Sequence, residues 1–240
     1  MASKKILALS SSRSQQSGYF ETALPIIEDF LQKGKLEIAF IPFASVDSHQ
    51  DYADKVSDAL KELPHNITMV TQENAKEIIG KCECIMVGGG NTFKLLHDLY
   101  DSKIIDLIRD KVDAGIPYIG WSAGSNILGP TISTTNDMPI IEPKSFNALG
   151  LLPFQINPHY YSETRVGFNG ETRDMRLEEF LKMNHGINVI ALPEGTALLM
   201  EETVLKFIGN EPGVDFSFSE TEEKVIKTLI NEQTDLGYLL

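Results

Sequence analysis

Ser122 stands between two glycines in the stretch Gly120-Trp121-Ser122-Ala123-Gly124. That spacing fits G-x-S-x-G, in which a strand turns sharply into a helix and holds the serine at the apex of the turn. A hydroxyl so placed can serve as a nucleophile. The plainer alternative is a helix N-cap, a position that serine also favours. Nucleophilic chemistry asks for three further parts: a base for the proton, a group that orients the base, and donors for the developing oxyanion.

The base must come from five histidines. His65 follows Leu63-Pro64 in a turn, His97 falls in a helix, and His49 lies in a polar loop. His185 precedes Gly186 at a helix end, where histidines often cap carbonyls. His159 follows a strand end and the stiff Pro158, which makes it the best-placed base. Two carboxylates could orient it: Asp137, on the loop between the serine and histidine elements, and Glu194, at the end of the next strand. Spacing does not choose between them, and a loop carboxylate is commonly no more than solvated.

Gly88-Gly89-Gly90 allows backbone N–H groups to approach a ligand without Cβ atoms in the way. One reading is half an oxyanion hole at Gly90, completed by the N–H of Ala123 just after the serine. Another is a phosphate cradle where a helix begins near Asn91, and a third is a tight turn. The stretch has neither the lysine and spacing of a P-loop nor the G-x-G-x-x-G pattern, so nucleotide binding is the weaker reading.

The elements that must hold these groups alternate. Lys5–Ser10, Glu37–Phe43, Asn66–Val70, Cys84–Val87 and Ile116–Gly120 read as buried strands. Between them Tyr19–Lys33, Asp51–Leu63, Asn74–Gly80 and Thr92–Ala114 carry apolar residues at helical spacing, with a break near Asp101. This βαβ order predicts a parallel sheet covered by helices, with right-handed crossovers. Phe154–Pro158 and Asn188–Leu192 read as further strands flanking a helix over 172–183, and Thr196–Met200 with Val204–Ile208 as an edge hairpin. The expectation is one three-layer α/β domain over residues 1–240. In such sheets the site lies beyond the carboxyl ends of the strands. The glycine run, the Ser122 turn and Asn157-Pro158-His159 all fall there.

Composition narrows the partners. With 42% hydrophobic and 23% charged residues, the 240-residue chain has the make-up of an ordinary globular protein. A net charge of −13 argues against nucleic acid and anionic membranes, both of which need basic stripes. No apolar run is long enough to span a bilayer, and the N-terminus lacks the pattern of a signal peptide. Cys82 and Cys84 are too close for a mutual disulfide and read as buried small hydrophobes. The expected location is the cytoplasm. Oligomeric state, monomer or homodimer, stays open.

Six separated stretches together resemble one family: VGGGNTFKLL (87–96), YIGWSAGSN (118–126), PTISTTNDMPI (130–140), QINPHY (155–160), GETRDMRLEEFL (170–181) and ALPEGT (191–196). They are similar to the peptidase E family, the α-aspartyl dipeptidases of the serine peptidase group that also contains the cyanophycinases. The resemblance runs from FIPFA (40–44) to about Gly195, and the tail after Gly209 adds little. It implies a class I glutamine amidotransferase-like (flavodoxin-like) sandwich with a mainly parallel sheet. It also implies hydrolysis of Asp-X dipeptides without metal or cofactor. Ser122 matches the nucleophile and His159 the general base. Asp137 matches an acid of the charge-relay system, and Glu194 a second acid that can be drawn as the third triad member; Asp137 is ranked ahead.

A substrate aspartate entering so acidic a protein needs a fixed cation, and a guanidinium grips a carboxylate bidentately. Arg173, in the matching GETR, is the first choice, with Arg165 second and Asn91 as a further substrate contact. Glu171 could face the substrate amine. The rival readings are a cyanophycinase-like β-aspartyl peptidase and a non-catalytic ligand-binding module. An amidotransferase would carry cysteine at the position of Ser122.

Overall fold

Short apolar runs separated by amphipathic stretches can bury themselves only by stacking helices on both faces of a parallel sheet. The computed structural model describes residues 4–32, 34–162, 167 and 169–240. The chain runs β1 (Lys5–Leu9), α1 (Leu24–Leu31), β2 (Glu37–Ile41), α2 (His49–Ala59), β3 (Asn66–Met69), α3 (Ala75–Lys81) and β4 (Cys84–Val87). It continues through α4 (Thr92–Asp101), α5 (Ile105–Asp113), β5 (Tyr118–Trp121), α6 (Ala123–Asn126), β6 (Gln155–Asn157), α7 (Arg173–Met183) and β7 (Val189–Ala191). It ends with β8 (Ala197–Glu201), β9 (Val204–Ile208), β10 (Gly213–Ser219) and β11 (Lys224–Ile230). The expected break near Asp101 falls between α4 and α5, where Lys103 adopts a φ of 56°.

The main sheet has the order β3-β2-β4-β5-β1-β8-β9. Its first five strands are parallel, and the β8–β9 hairpin closes it with antiparallel pairs, β8 on β1 and β9 at the edge. Strand alternation divides the core. Ile6, Ala8, Ile85 and Val87 pack with side chains of α3, α4 and α5. Leu7, Leu9, Cys84 and Met86 pack with those of α1 and α2. These are the three layers that the sequence predicts, with both cysteines buried and free.

The remaining strands build a second sheet, β11-β10-β7-β6. The β6–β7 pair is parallel, and β10 and β11 add antiparallel partners. Ile156, Ile190 and Ile230 from this sheet enter the same buried cluster as α3 to α5, whereas Val189, Ala191 and Phe216 face Leu177 and Leu181 of α7. The tail past Gly209 is thus what gives β7 its outer partners. Among the described residues, no helix is long and apolar enough to cross a membrane.

Candidate active site

Ser122 follows β5 directly, with φ 54° and ψ −114°. That is a costly conformation for a residue with a side chain, and it persists only where neighbours over-determine it. Here Ser122 N donates to Leu9 O at 3.3 Å, and the Ser122 carbonyl accepts from Ser125 N at 3.0 Å and Asn126 N at 2.9 Å. A Cβ on Gly124 would run into the Val87 carbonyl, so only glycine lets α6 lie this close to β4. Ser122 occupies the N-cap position of α6, yet its side chain makes no capping bond. The capping alternative therefore fails, and the hydroxyl is left to a small cleft of about 190 Å³ lined by Thr92, Ser122, Ala123, Thr135, Asn136, Asp137, Pro158, His159 and Arg173.

His159 also holds a positive φ, 54°. Its backbone N–H donates to the buried hydroxyl of Ser10 at 2.9 Å, and that hydroxyl lies 2.8 Å from Leu192 O, to which it donates. Tyr160 N reaches the same carbonyl at 2.9 Å. The strand end that carries His159 is thereby tied to the one that carries Glu194. In the side chains, His159 Nδ1 lies 2.7 Å from Glu194 Oε1. An ionised carboxylate only accepts, which assigns the proton to Nδ1 and leaves Nε2 as the acceptor. The two side chains are 40% and 49% exposed, so the pair orients the imidazole more than it stabilises the fold.

Asp137 does a different job. Its Oδ2 accepts from Thr92 N, the first residue of α4, at 2.7 Å and lies 3.2 Å from Thr135 Oγ1. A carboxylate at a helix N-terminus is favoured by the aligned peptide dipoles. Both bonds fall on one oxygen; among the described residues Oδ1 has no hydrogen-bond partner, on a side chain that lines the cleft.

Arg173 opens α7, whose N-cap Thr172 accepts from Met175 N at 3.1 Å. Arg173 Nη1 donates to Pro158 O at 3.4 Å, and its guanidinium lies 4.9 Å from the Tyr161 ring centre. The neighbouring Asp174 takes the Tyr160 hydroxyl at 2.8 Å and Lys227 Nζ at 2.9 Å. Burial, and then the bond to Asp174, push the Tyr160 phenol above its ordinary range, keeping it a donor. The start of α7 is thus fastened beside His159.

Other predicted residues are not among the cleft's walls, although the glycine turn abuts Ser122: a Cβ on Gly89 would come 2.9 Å from Ser122 Cβ. Gly90 and Asn91 line a neighbouring cavity of about 380 Å³ with Ala44, Val46, Tyr52 and Ile140. Asn91 caps α4 through Lys94 N at 3.0 Å, and its Nδ2 donates to Met138 O at 2.8 Å. Glu171 lies 3.7 Å from Arg176 Nε. Arg165 lies outside the described residues. Sequence reading did not single out Ser10, Thr92, Thr135 or Asn136. The hydroxyls closing β1 in Leu9-Ser10-Ser11 were the available signal for the first, and the quoted PTISTTND stretch for the last two.

Compared with known families, residues 6–208 match Peptidase family S51. The chain belongs to that family. This S51 member is 47% identical over 224 residues to Peptidase E of Nostoc sp. (strain PCC 7120), covering 92% of itself and 93% of the relative. It is 49% identical over 218 residues to Peptidase E of Shewanella denitrificans, covering 90% and 92%. Its fold is similar to the crystal structure of a peptidase from an acI-B1 Actinobacterium, with a TM-score of 0.65 at 17% identity over 98% of this chain and 97% of the other. The resemblance to the peptidase E family therefore holds, as does the mainly parallel α/β fold. The S51 chain is a hydrolase of the serine-peptidase type.

Proposed function

We propose that the chain hydrolyses dipeptides whose first residue is aspartate. The observation that carries the reading is the cleft itself, where, among the described residues, Ser122 and a His159 paired with Glu194 share walls with a cation, Arg173, and a further acid, Asp137. At about 190 Å³ it is smaller than a pocket for a drug-sized ligand, which runs from roughly 300 Å³ upward. An aspartyl group with a free amine fits that space and that charge pattern. Its side-chain carboxylate pairs with Arg173, and its ammonium faces the Oδ1 side of Asp137.

In this reaction the Ser122 Oγ attacks the aspartyl carbonyl carbon while its proton passes to His159 Nε2. The negative oxygen is met by backbone N–H groups at Gly90 and Ala123. The C–N bond breaks as His159 returns the proton to the departing amine, leaving an aspartyl ester on Ser122. Water, losing a proton to His159, attacks the ester and restores the serine. Glu194 keeps Nδ1 protonated and the ring aligned throughout.

The test is release of free aspartate from Asp-Leu, beside Glu-Leu, Leu-Leu and a β-aspartyl dipeptide, with EDTA present, for the wild type and Ser122→Ala. Cleavage of Asp-Leu alone, abolished in the variant and indifferent to chelator, is the expected result. Cleavage of the β-linked peptide instead would move the chain to the cyanophycinase side. Full activity in Ser122→Ala would end the serine reading.

A further inference from the structure

Behind the glycine run lies a chain of hydrogen bonds that the proposed mechanism leaves unused. Tyr52, from α2, donates its hydroxyl proton to Gly89 O at 3.1 Å. The Tyr52 hydroxyl oxygen in turn accepts the indole N–H of Trp121 at 3.0 Å and lies 3.4 Å from the Tyr19 hydroxyl. Trp121 immediately precedes Ser122, so one phenol joins the nucleophile's strand to the glycine turn. The ring is held in place by edge-on contacts, 5.3 Å to Phe40 and 6.4 Å to Trp121 between centres. Burial raises the phenol's pKa above its ordinary value, so the group stays protonated and able to donate.

Glycines have no side chains with which to fix the turn's middle peptide, and among the described residues the Gly89 carbonyl accepts a hydrogen bond from Tyr52 alone. Its ends are tied, Gly88 N to Ile41 O at 3.0 Å and Asn91 N to Ala44 O at 2.8 Å. Gly90 takes φ +137°, a conformation only glycine adopts readily, and a Cβ there would strike the Ala44 carbonyl. An ideal Cβ on Gly89 would come 2.9 Å from Ser122 Cβ, so this peptide abuts the nucleophile. A trans peptide points its C=O and N–H in opposite directions, and the chain has no cis bond among the described residues. Fixing the Gly89 carbonyl on Tyr52 therefore fixes the Gly90 N–H, facing away from Tyr52.

We propose that Tyr52 is a positioning residue of the hydrolysis, its hydroxyl holding the Gly89–Gly90 peptide so that the Gly90 N–H is set in advance for the oxyanion that forms at Ser122. The inference rests on the serine-peptidase reading above. Its energetic logic is preorganisation: a donor already aimed at the developing charge needs no reorganisation in the transition state. Losing one oxyanion donor costs about 10²–10³ in kcat, and loosening rather than deleting it should cost part of that.

Tyr52→Phe removes the hydroxyl and keeps the ring. In the full chain, with Asp-Leu as substrate, kcat is expected to fall about tenfold to a hundredfold with KM within twofold, because the donor acts on the transition state. Trp121 is the sole tryptophan, so its emission reports loss of the indole's bond to Tyr52. A shifted emission together with a kcat-only loss supports the proposal. Unchanged kcat overturns it, as does a matched change of kcat and KM that follows a drop in Tm. Should Tyr52→Phe not fold, Trp121→Phe removes the bond on the other side of the same oxygen and should lower kcat alone, by about threefold to tenfold, a fraction of a deleted donor; unchanged kcat there overturns the idea equally. Ser122→Ala in the same assay separates the two readings: activity surviving in it sinks the mechanism, whereas an inactive Ser122→Ala beside a fully active Tyr52→Phe sinks only the role of Tyr52.

Discussion

Glu194 Oε1 sits 2.7 Å from His159 Nδ1, whereas Asp137 spends its Oδ2 on the N–H of Thr92, also at 2.7 Å. The two acids that the sequence left in competition thus have separate partners. Glu194→Gln should lower kcat by about 10²–10⁴ with little change in KM, since an amide at this position favours the wrong imidazole tautomer. Asp137→Asn should instead raise KM for Asp-Leu. Steady-state kinetics on both variants decide the matter, and a kcat collapse in Asp137→Asn with an active Glu194→Gln would reverse the assignment.

Ser10 is the joint between the two strand ends that meet in this dyad. Its fully buried hydroxyl accepts from His159 N and donates to Leu192 O. Ser10→Ala leaves both groups without that partner, at about 1–3 kcal/mol. For a chain of this size that corresponds to a Tm lower by roughly 2–12 °C. Calorimetry should show this loss, and kcat should fall with it because His159 is no longer held in its positive-φ conformation. Ser10→Ala with the wild-type Tm would mean that another group takes over the bonds.

How much of this was legible in the sequence depended on distance along the chain. The Ser122 turn could be read because its parts are contiguous: an apolar strand, then glycines at the two positions where backbones nearly touch. His159 could be read from a strand end and a proline. The choice between Asp137 and Glu194 could not, because it turns on which loop meets the imidazole, and either spacing permits contact. The second sheet was missed as a separate sheet because β7 finds its antiparallel partner in Val214–Phe216, across the β8–β9 hairpin. Tyr52 lies 69 residues before Trp121, and nothing near it in sequence signals the glycine turn.

Gly124 is required by contact as well as by pattern. A methyl group there meets the Val87 carbonyl, a backbone atom in a central strand that cannot swing aside. Gly124→Ala should therefore push α6 off β4, destabilise the chain by about 1–3 kcal/mol and misplace Ser122. Loss of activity together with a lower denaturant midpoint is expected. A stable and fully active Gly124→Ala would show that the elbow tolerates a wider spacing.

Arg173 carries the proposed selectivity for aspartate. Arg173→Lys keeps the charge but loses the planar fork, and Arg173→Met loses both. KM for Asp-Leu should rise in the lysine variant and rise further in the methionine variant. With Met the preference for Asp-Leu over Leu-Leu should shrink toward unity, measured as the ratio of kcat/KM values. An unchanged ratio would remove Arg173 from the substrate contacts.

His65 should make stability fall on mild acidification. Its Nδ1 accepts the N–H of Leu36 at 3.3 Å, which requires the neutral ring, and burial lowers its pKa below 6.5. With the folded value below the unfolded one, the unfolded chain binds a proton first as pH drops. The contribution is therefore complete above the unfolded value of about 6.5 and is lost as pH falls through it toward the folded one. Melting curves of the wild type and His65→Gln between pH 8 and pH 5 should converge on the acid side, the wild type losing more Tm over that interval. Parallel curves would mean that His65 titrates alike in the folded and unfolded chains.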